Sequence, residues 1–174
     1  MQSGSDFWVI RPFNTAFLIV FAASAVVFLR HGDNTRSIGY SLICALLTAA
    51  SESDLRTKRA GNVFPLTILA TGAAGAGTLR ELLPMLASGL LFFIPLFLVW
   101  RLKKGRALGG ADVKIISSLA FAVGARRALA ALAVAAVSCL CVFAIRRFAK
   151  NRAEEKTLPL VPFIAAGTFI SMLL

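Results

Sequence analysis

Charge is scarce in this chain, and negative charge is scarcest of all. Only 16% of the 174 residues are charged, and eight Asp and Glu stand against 19 Lys and Arg, for a formal net charge of +11. Soluble domains average about 25% charged and about 45–50% apolar residues, whereas 58% of this chain is hydrophobic. That excludes a soluble globular domain, and so apolar a chain has no reason to stay disordered. His31 is the only histidine, and Cys44, Cys139 and Cys141 all lie in apolar stretches without a C-x-x-C pair. A zinc site or thiol redox centre is therefore not expected, and the cysteines read as small buried hydrophobes. The excess of basic residues would suit nucleic acid, but these residues sit in short clusters between apolar runs, which is the pattern of a polytopic membrane protein.

A bilayer core about 30 Å thick needs roughly 20 helical residues per crossing. Seven segments come near that: Pro12–Leu29, Ser37–Ser53, Asn62–Thr78, Leu82–Trp100, Asp112–Val123, Ala128–Ile145 and Leu158–Leu174. The third contains the run Thr71-Gly72-Ala73-Ala74-Gly75-Ala76-Gly77, which suits close helix contact. The fifth is too short to cross alone, so neighbours are expected to shelter it. Ala23-Ser24-Ala25 resembles a signal-peptidase site, but only Arg11 precedes the apolar run, which continues through Val26-Val27-Phe28-Leu29. A retained first helix is expected. Alternating the spans puts fourteen Lys and Arg on one side, among them Arg56, Lys58, Arg101, Lys104 and Lys114. The other side receives five: Arg30, Arg36, Arg80, Arg126 and Arg127. The richer side is expected to be cytoplasmic, with the N-terminus inside. The fold predicted is an all-α membrane bundle of six or seven transmembrane helices.

In such a chain the carboxylates carry the information. Asp6, Asp33, Glu81, Glu154 and Glu155 fall in the tail or in loops and read as solvated charges. Glu52, Asp54 and Asp112 instead lie where apolar helices meet the cytoplasmic side, and ionisable residues at such depth usually face a protein interior or a water-filled cavity. Two plain readings compete. Asp54 can pair with Lys58 one turn on, and Asp112 can be the N-cap of the helix that runs through Val113-Lys114-Ile115. Together, however, Asp54 ends one span and Asp112 begins another on the same side. Two carboxyl groups sharing a site do not both ionise easily, so one keeps a proton while the other remains a base. Hydrolysis of an amide by activated water needs that division of labour.

Two local words go further. Ser51-Glu52-Ser53-Asp54-Leu55-Arg56-Thr57-Lys58-Arg59-Ala60-Gly61-Asn62 and Leu108-Gly109-Gly110-Ala111-Asp112-Val113-Lys114 resemble the two signatures of the type IV prepilin peptidases, especially the short form of tight-adherence (Tad, Flp) pilus systems. That family pairs an Asp closing one helix with a Gly-x-Gly-Asp-x-Lys opening another. The closing Leu158-Pro159-Leu160-Val161-Pro162-Phe163 is similar to the family's final Pro-x-x-Pro-Phe span. The likeness covers residues 38–174, so 1–36 read as a tail with an extra helix and 37–174 as a prepilin-peptidase-like domain. The resemblance implies a multi-pass enzyme of the bacterial inner membrane, an aspartyl endopeptidase with Asp54 and Asp112 as catalytic residues. Gly109 and Gly110 would be loop residues allowing close backbone approach, and Lys114 and Asn62 match motif positions. The implied substrate is a prepilin with a basic leader and an apolar helix, cut at the cytoplasmic face without metal or organic cofactor. Nucleic acid is not an expected partner.

The chain departs from the family pattern twice. Ala60-Gly61-Asn62 replaces Ile-Pro-Asn, and Ala111 stands where Gly precedes the second Asp. If that position required positive φ, Ala would cost about 1 kcal/mol. A membrane component that keeps the fold without cleavage is the alternative. A small transporter relaying ions is a further rival, and it would want polar groups near the midplane, where the spans offer chiefly Thr48, Thr67, Thr71, Ser88 and Ser117.

Overall fold

The computed structural model of the chain describes Val26 and residues 35–57, 62–104, 109–148 and 160–173. Apart from Val26, the expected first span lies outside the described residues, as do His31, Lys58 and residues 149–159. All regular structure among the described residues is helical: α1 Thr35–Thr57, α2 Val63–Ala74, α3 Leu79–Leu102, α4 Gly110–Val123, α5 Ala125–Phe148 and α6 Val161–Leu173. The third expected span is shorter than Asn62–Thr78. Its Gly-rich end stops the helix at Ala74, where the Gly75 N–H folds back onto the carbonyls of Thr71 and Gly72.

α4 is the hub. Of its fourteen residues nine are buried, and it packs against α2, α3 and α5. Its apolar face meets Ile43 and Leu47 of α1, Ile68 of α2 and Ile164 of α6 in one core cluster. A helix of this length survives because its neighbours cover it. Gly124, at φ +86, supplies the turn into α5, a conformation that L side chains rarely adopt. α3 is the opposite case, since none of its 24 residues is buried and Leu83, Leu91, Ile94 and Leu98 all point outward. Phe93 and Phe97 stack with centroids 5.3 Å apart, and Phe97 continues the stack onto Trp100. Two segments, Leu79–Leu102 and Ala125–Ile145, are long and apolar enough to cross a membrane. α2 and α6 are shorter apolar helices.

The contacts sort the bundle into two ends. Asp54, Asn62, Trp100, Gly110, Lys114 and Val161 meet at one. Tyr40, Arg127 and Glu81 mark the other, where the Arg127 guanidinium lies over the Tyr40 ring and donates to its hydroxyl.

α5 and α6 approach so closely that a Cβ on Gly167 would sit 2.1 Å from the Ala131 carbonyl oxygen, whereas a Cβ on Gly39 of α1 would meet nothing within 4 Å. Gly167→Ala is therefore expected to destabilise the bundle by about 1–3 kcal/mol through overpacking. Gly39→Ala is expected to be neutral or to stabilise it by up to about 1 kcal/mol. Thermal unfolding in detergent followed by circular dichroism checks the order, and the reverse order would contradict the packing.

Candidate active site

α1 carries Asp54 into its last turn, beyond the buried residues Ala50 and Ser51, and α4 opens with Asp112 before its apolar stretch begins at Val113. Both carboxyl groups thus lie at the polar end of their helices, outside the apolar segments. They face one another closely enough that the charge on Asp54 disfavours ionisation of Asp112. Burial pushes Asp112 above the usual carboxylate range and is the larger cause, with repulsion by Asp54 second. Burial also raises Asp54. The nearby backbone acts in the other direction on each, that of Gly109 lowering Asp112 and that of Val161 lowering Asp54.

The plain reading of Asp112 as an N-cap needs correction. Gly109 is the N-cap, in extended conformation, and Asp112 sits three residues on, at the position of the acid in a capping box, with its carboxylate folded back toward Gly109. That return brings its carboxylate over Gly109, where a Cβ would lie 2.8 Å from Oδ2. Close approach by the Asp112 side chain is therefore what glycine permits here. Gly110 is corrected as well: it is the first residue of the helix, not a loop residue, and it lies against the Trp100 indole. Ala111 takes regular helical backbone with negative φ, so glycine's freedom is not required before Asp112.

The remaining motif residues meet each other. Lys114 Nζ donates to Asn62 Oδ1 at 2.9 Å, tying the start of α2 to α4. Asn62 does not use its side chain to cap α2, and that amide oxygen serves Lys114 instead. Spacing alone could not have paired residues on separate helices. Asn62, Lys114 and Ser117 line one side of a groove of about 360 Å³ between α2, α3 and α4, whose remaining wall is mainly apolar, including Leu66, Leu90 and Phe93. A second cavity of about 250 Å³ lies at the far end by Tyr40 and Glu81, away from the aspartates.

The hydroxyls that an ion pathway would want are otherwise engaged. Thr48, Thr67, Thr71, Ser88 and Ser117 each donate to a carbonyl of their own helix. No group of three or more His, Cys, Asp or Glu arranged to hold a metal occurs among the described residues. The cysteines are free, with Cys44 buried and Cys141 exposed, so only the first fits a core role fully.

The described residues thus combine long apolar helices with two carboxyl groups at one end, the charge of one disfavouring ionisation of the other. Among known families, residues 41–144 match the type IV leader peptidase family, and the match contains both aspartates and covers more than half of the chain. The chain belongs to that family, which consists of membrane peptidases and implies a prepilin-type substrate. No curated protein and no solved structure matches it.

Because burial and Asp54 raise Asp112 in the folded state, the folded protein holds its proton more tightly than the unfolded chain does. Stability is then full below the unfolded value and falls as pH rises through the folded one. Asp112→Asn, which does not titrate and is close to Asp in size, is expected to unfold at a higher temperature than wild type at neutral pH. The difference should shrink toward zero below about pH 4. Thermal melts across that range check the sign.

Proposed function

We propose that this protein removes the leader peptide from type IV prepilins of the tight-adherence (Tad, Flp) type, at the cytoplasmic face of a bacterial inner membrane, with Asp54 and Asp112 as its catalytic pair. The observation that carries the reading is that these two acids, far apart in sequence, lie at one end of an apolar bundle, close enough for the charge on Asp54 to disfavour ionisation of Asp112. Burial and the charge on Asp54 both hold Asp112 above the usual carboxylate range, which favours the pair keeping one proton at a pH where a free carboxyl group has lost it. The ionised member takes a proton from water while the protonated member supplies one to the scissile carbonyl oxygen. Family membership supports a peptide substrate over any other hydrolysable group.

The surroundings support the same reading. The mainly apolar groove between α2, α3 and α4 opens beside Lys114, two residues beyond Asp112, and offers the substrate's apolar helix a lateral seat. The basic leader then remains in water. Six or seven crossings place the fourteen-cation side in the cytoplasm, where anionic headgroups hold it at about 1 kcal/mol per charge. The outward apolar faces of α3 and α5 suit lipid contact. The helical backbone at Ala111 removes the strain argument against turnover.

Co-expression with a Tad-type prepilin tests the proposal. Wild type is expected to process the substrate, and Asp54→Asn and Asp112→Asn are each expected to slow processing by about 10²–10⁴-fold, the range for loss of a positioned acid or base. Equal processing by all three proteins, read by the mobility shift of the pilin, would end the peptidase reading.

A further inference from the structure

Among the described residues that line the groove between α2, α3 and α4, Lys114 is the one ionisable side chain. Leu66, Leu69, Leu86, Leu90 and Phe121 make much of the remaining wall. Its two hydroxyls are used within α4, Ser117 donating to the Val113 carbonyl and Ser118 to that of Lys114. Residues two apart on a helix do not share a face, so Lys114 turns away from Asp112. Its ammonium reaches instead to Asn62 Oδ1 at 2.9 Å and stays exposed at the rim of the groove. That acceptor is neutral, and no carboxylate among the described residues forms an ion pair with Lys114. An ammonium has three donors. One goes to Asn62, and the others face water.

An apolar helix lying in this groove shuts that water out. A cation that loses its water without gaining an anion is strongly disfavoured, whereas one that gains a carboxylate keeps a charge-assisted hydrogen bond. We infer that Lys114 is a specificity-determining residue, which pairs with a carboxylate carried by the substrate's apolar helix within the first two turns after the bond that is cut. This deepens the peptidase reading and rests on it. The placement follows from α4. Lys114 lies two residues past Asp112, about 3 Å along the helix axis, and the groove runs on past it through Ser117 and Phe121, away from Asp112. The acid therefore belongs to the segment that enters the groove, and the basic leader on the other side of the cut has no part in the pair. Asn62 stays as the second acceptor and holds the ammonium at the rim where the acid arrives. A neutral residue at that place leaves the Lys114 charge against leucine, and a basic one adds repulsion.

The test uses the full-length protein in membranes and a set of prepilins with a basic leader and an apolar helix, identical except at one position. A single Glu is placed in turn at each of about eight positions after the cut, two turns of helix, with Gln at the same position as the neutral reference. Wild type is expected to process the Glu form about 10–100-fold more efficiently than the Gln form at one position or at two positions a turn apart, the range for a hydrogen bond to a charged group. The difference is expected in KM, with kcat little changed. Lys114→Met is expected to erase the preference, and Lys114→Glu to reverse it in favour of Lys at that position. Asn62→Ala cuts the tie between α2 and α4 but keeps the cation, and is expected to keep the preference, which a merely structural role for Lys114 would not produce. Equal processing of the Glu and Gln forms by wild type at every position overturns the inference and leaves the peptidase reading in place, as does a preference that survives in Lys114→Met. The wild-type comparison decides the matter whether or not a variant folds. A wild type that cleaves no member of the set removes the peptidase reading, and the inference with it.

Discussion

Like charges brought together in a poorly solvated place are expensive, and this bundle brings two. Asp54 and Asp112 repel each other at the edge of an apolar body where water only partly compensates either of them. The arrangement persists because rigid elements on both sides leave the carboxyls nowhere better to go. α4 packs against three helices with most of its residues buried, and α1 is fixed to α2 and α6. Stability is surrendered locally at the pair and recovered in the core of Ile, Leu and Val that surrounds α4.

The same constraint orders the smaller features. Glycine at 109 gives the Asp112 side chain room to fold back over its own helix start. The Lys114–Asn62 hydrogen bond ties α2 to α4 one turn above that point and fixes the mouth of the groove. At the start of α6 Pro162 has no N–H to satisfy, and the amides of Phe163 and Ile164 bond back to the Leu160 carbonyl. These features come from three different helices.

Much of this was legible in the sequence, because composition and two short words sufficed for the class, and the rare acids could be inspected one by one. An apolar chain gives its carboxylates away. The helices that lie between polar loops were also readable, with boundaries off by a few residues where Gly75 and Gly77 end α2 early. Pairings across helices were not. Nothing in the spacing of Asn62 and Lys114 reveals that they touch. Capping was misjudged at Asp112 because a residue three positions into a helix and one at its cap share the same preference for Asp. The strain feared at Ala111 depended on a backbone angle that only the folded chain shows.

The central claim is that Asp54 and Asp112 hold one proton between them. Infrared difference spectroscopy of the membrane-embedded protein, at a pH about one unit above the ordinary aspartate value of ~3.9, reads it directly as a protonated-carboxyl stretch. The band is predicted in wild type and predicted to vanish in Asp112→Asn. Its absence from wild type at that pH, or its persistence unchanged in the variant, would contradict the account.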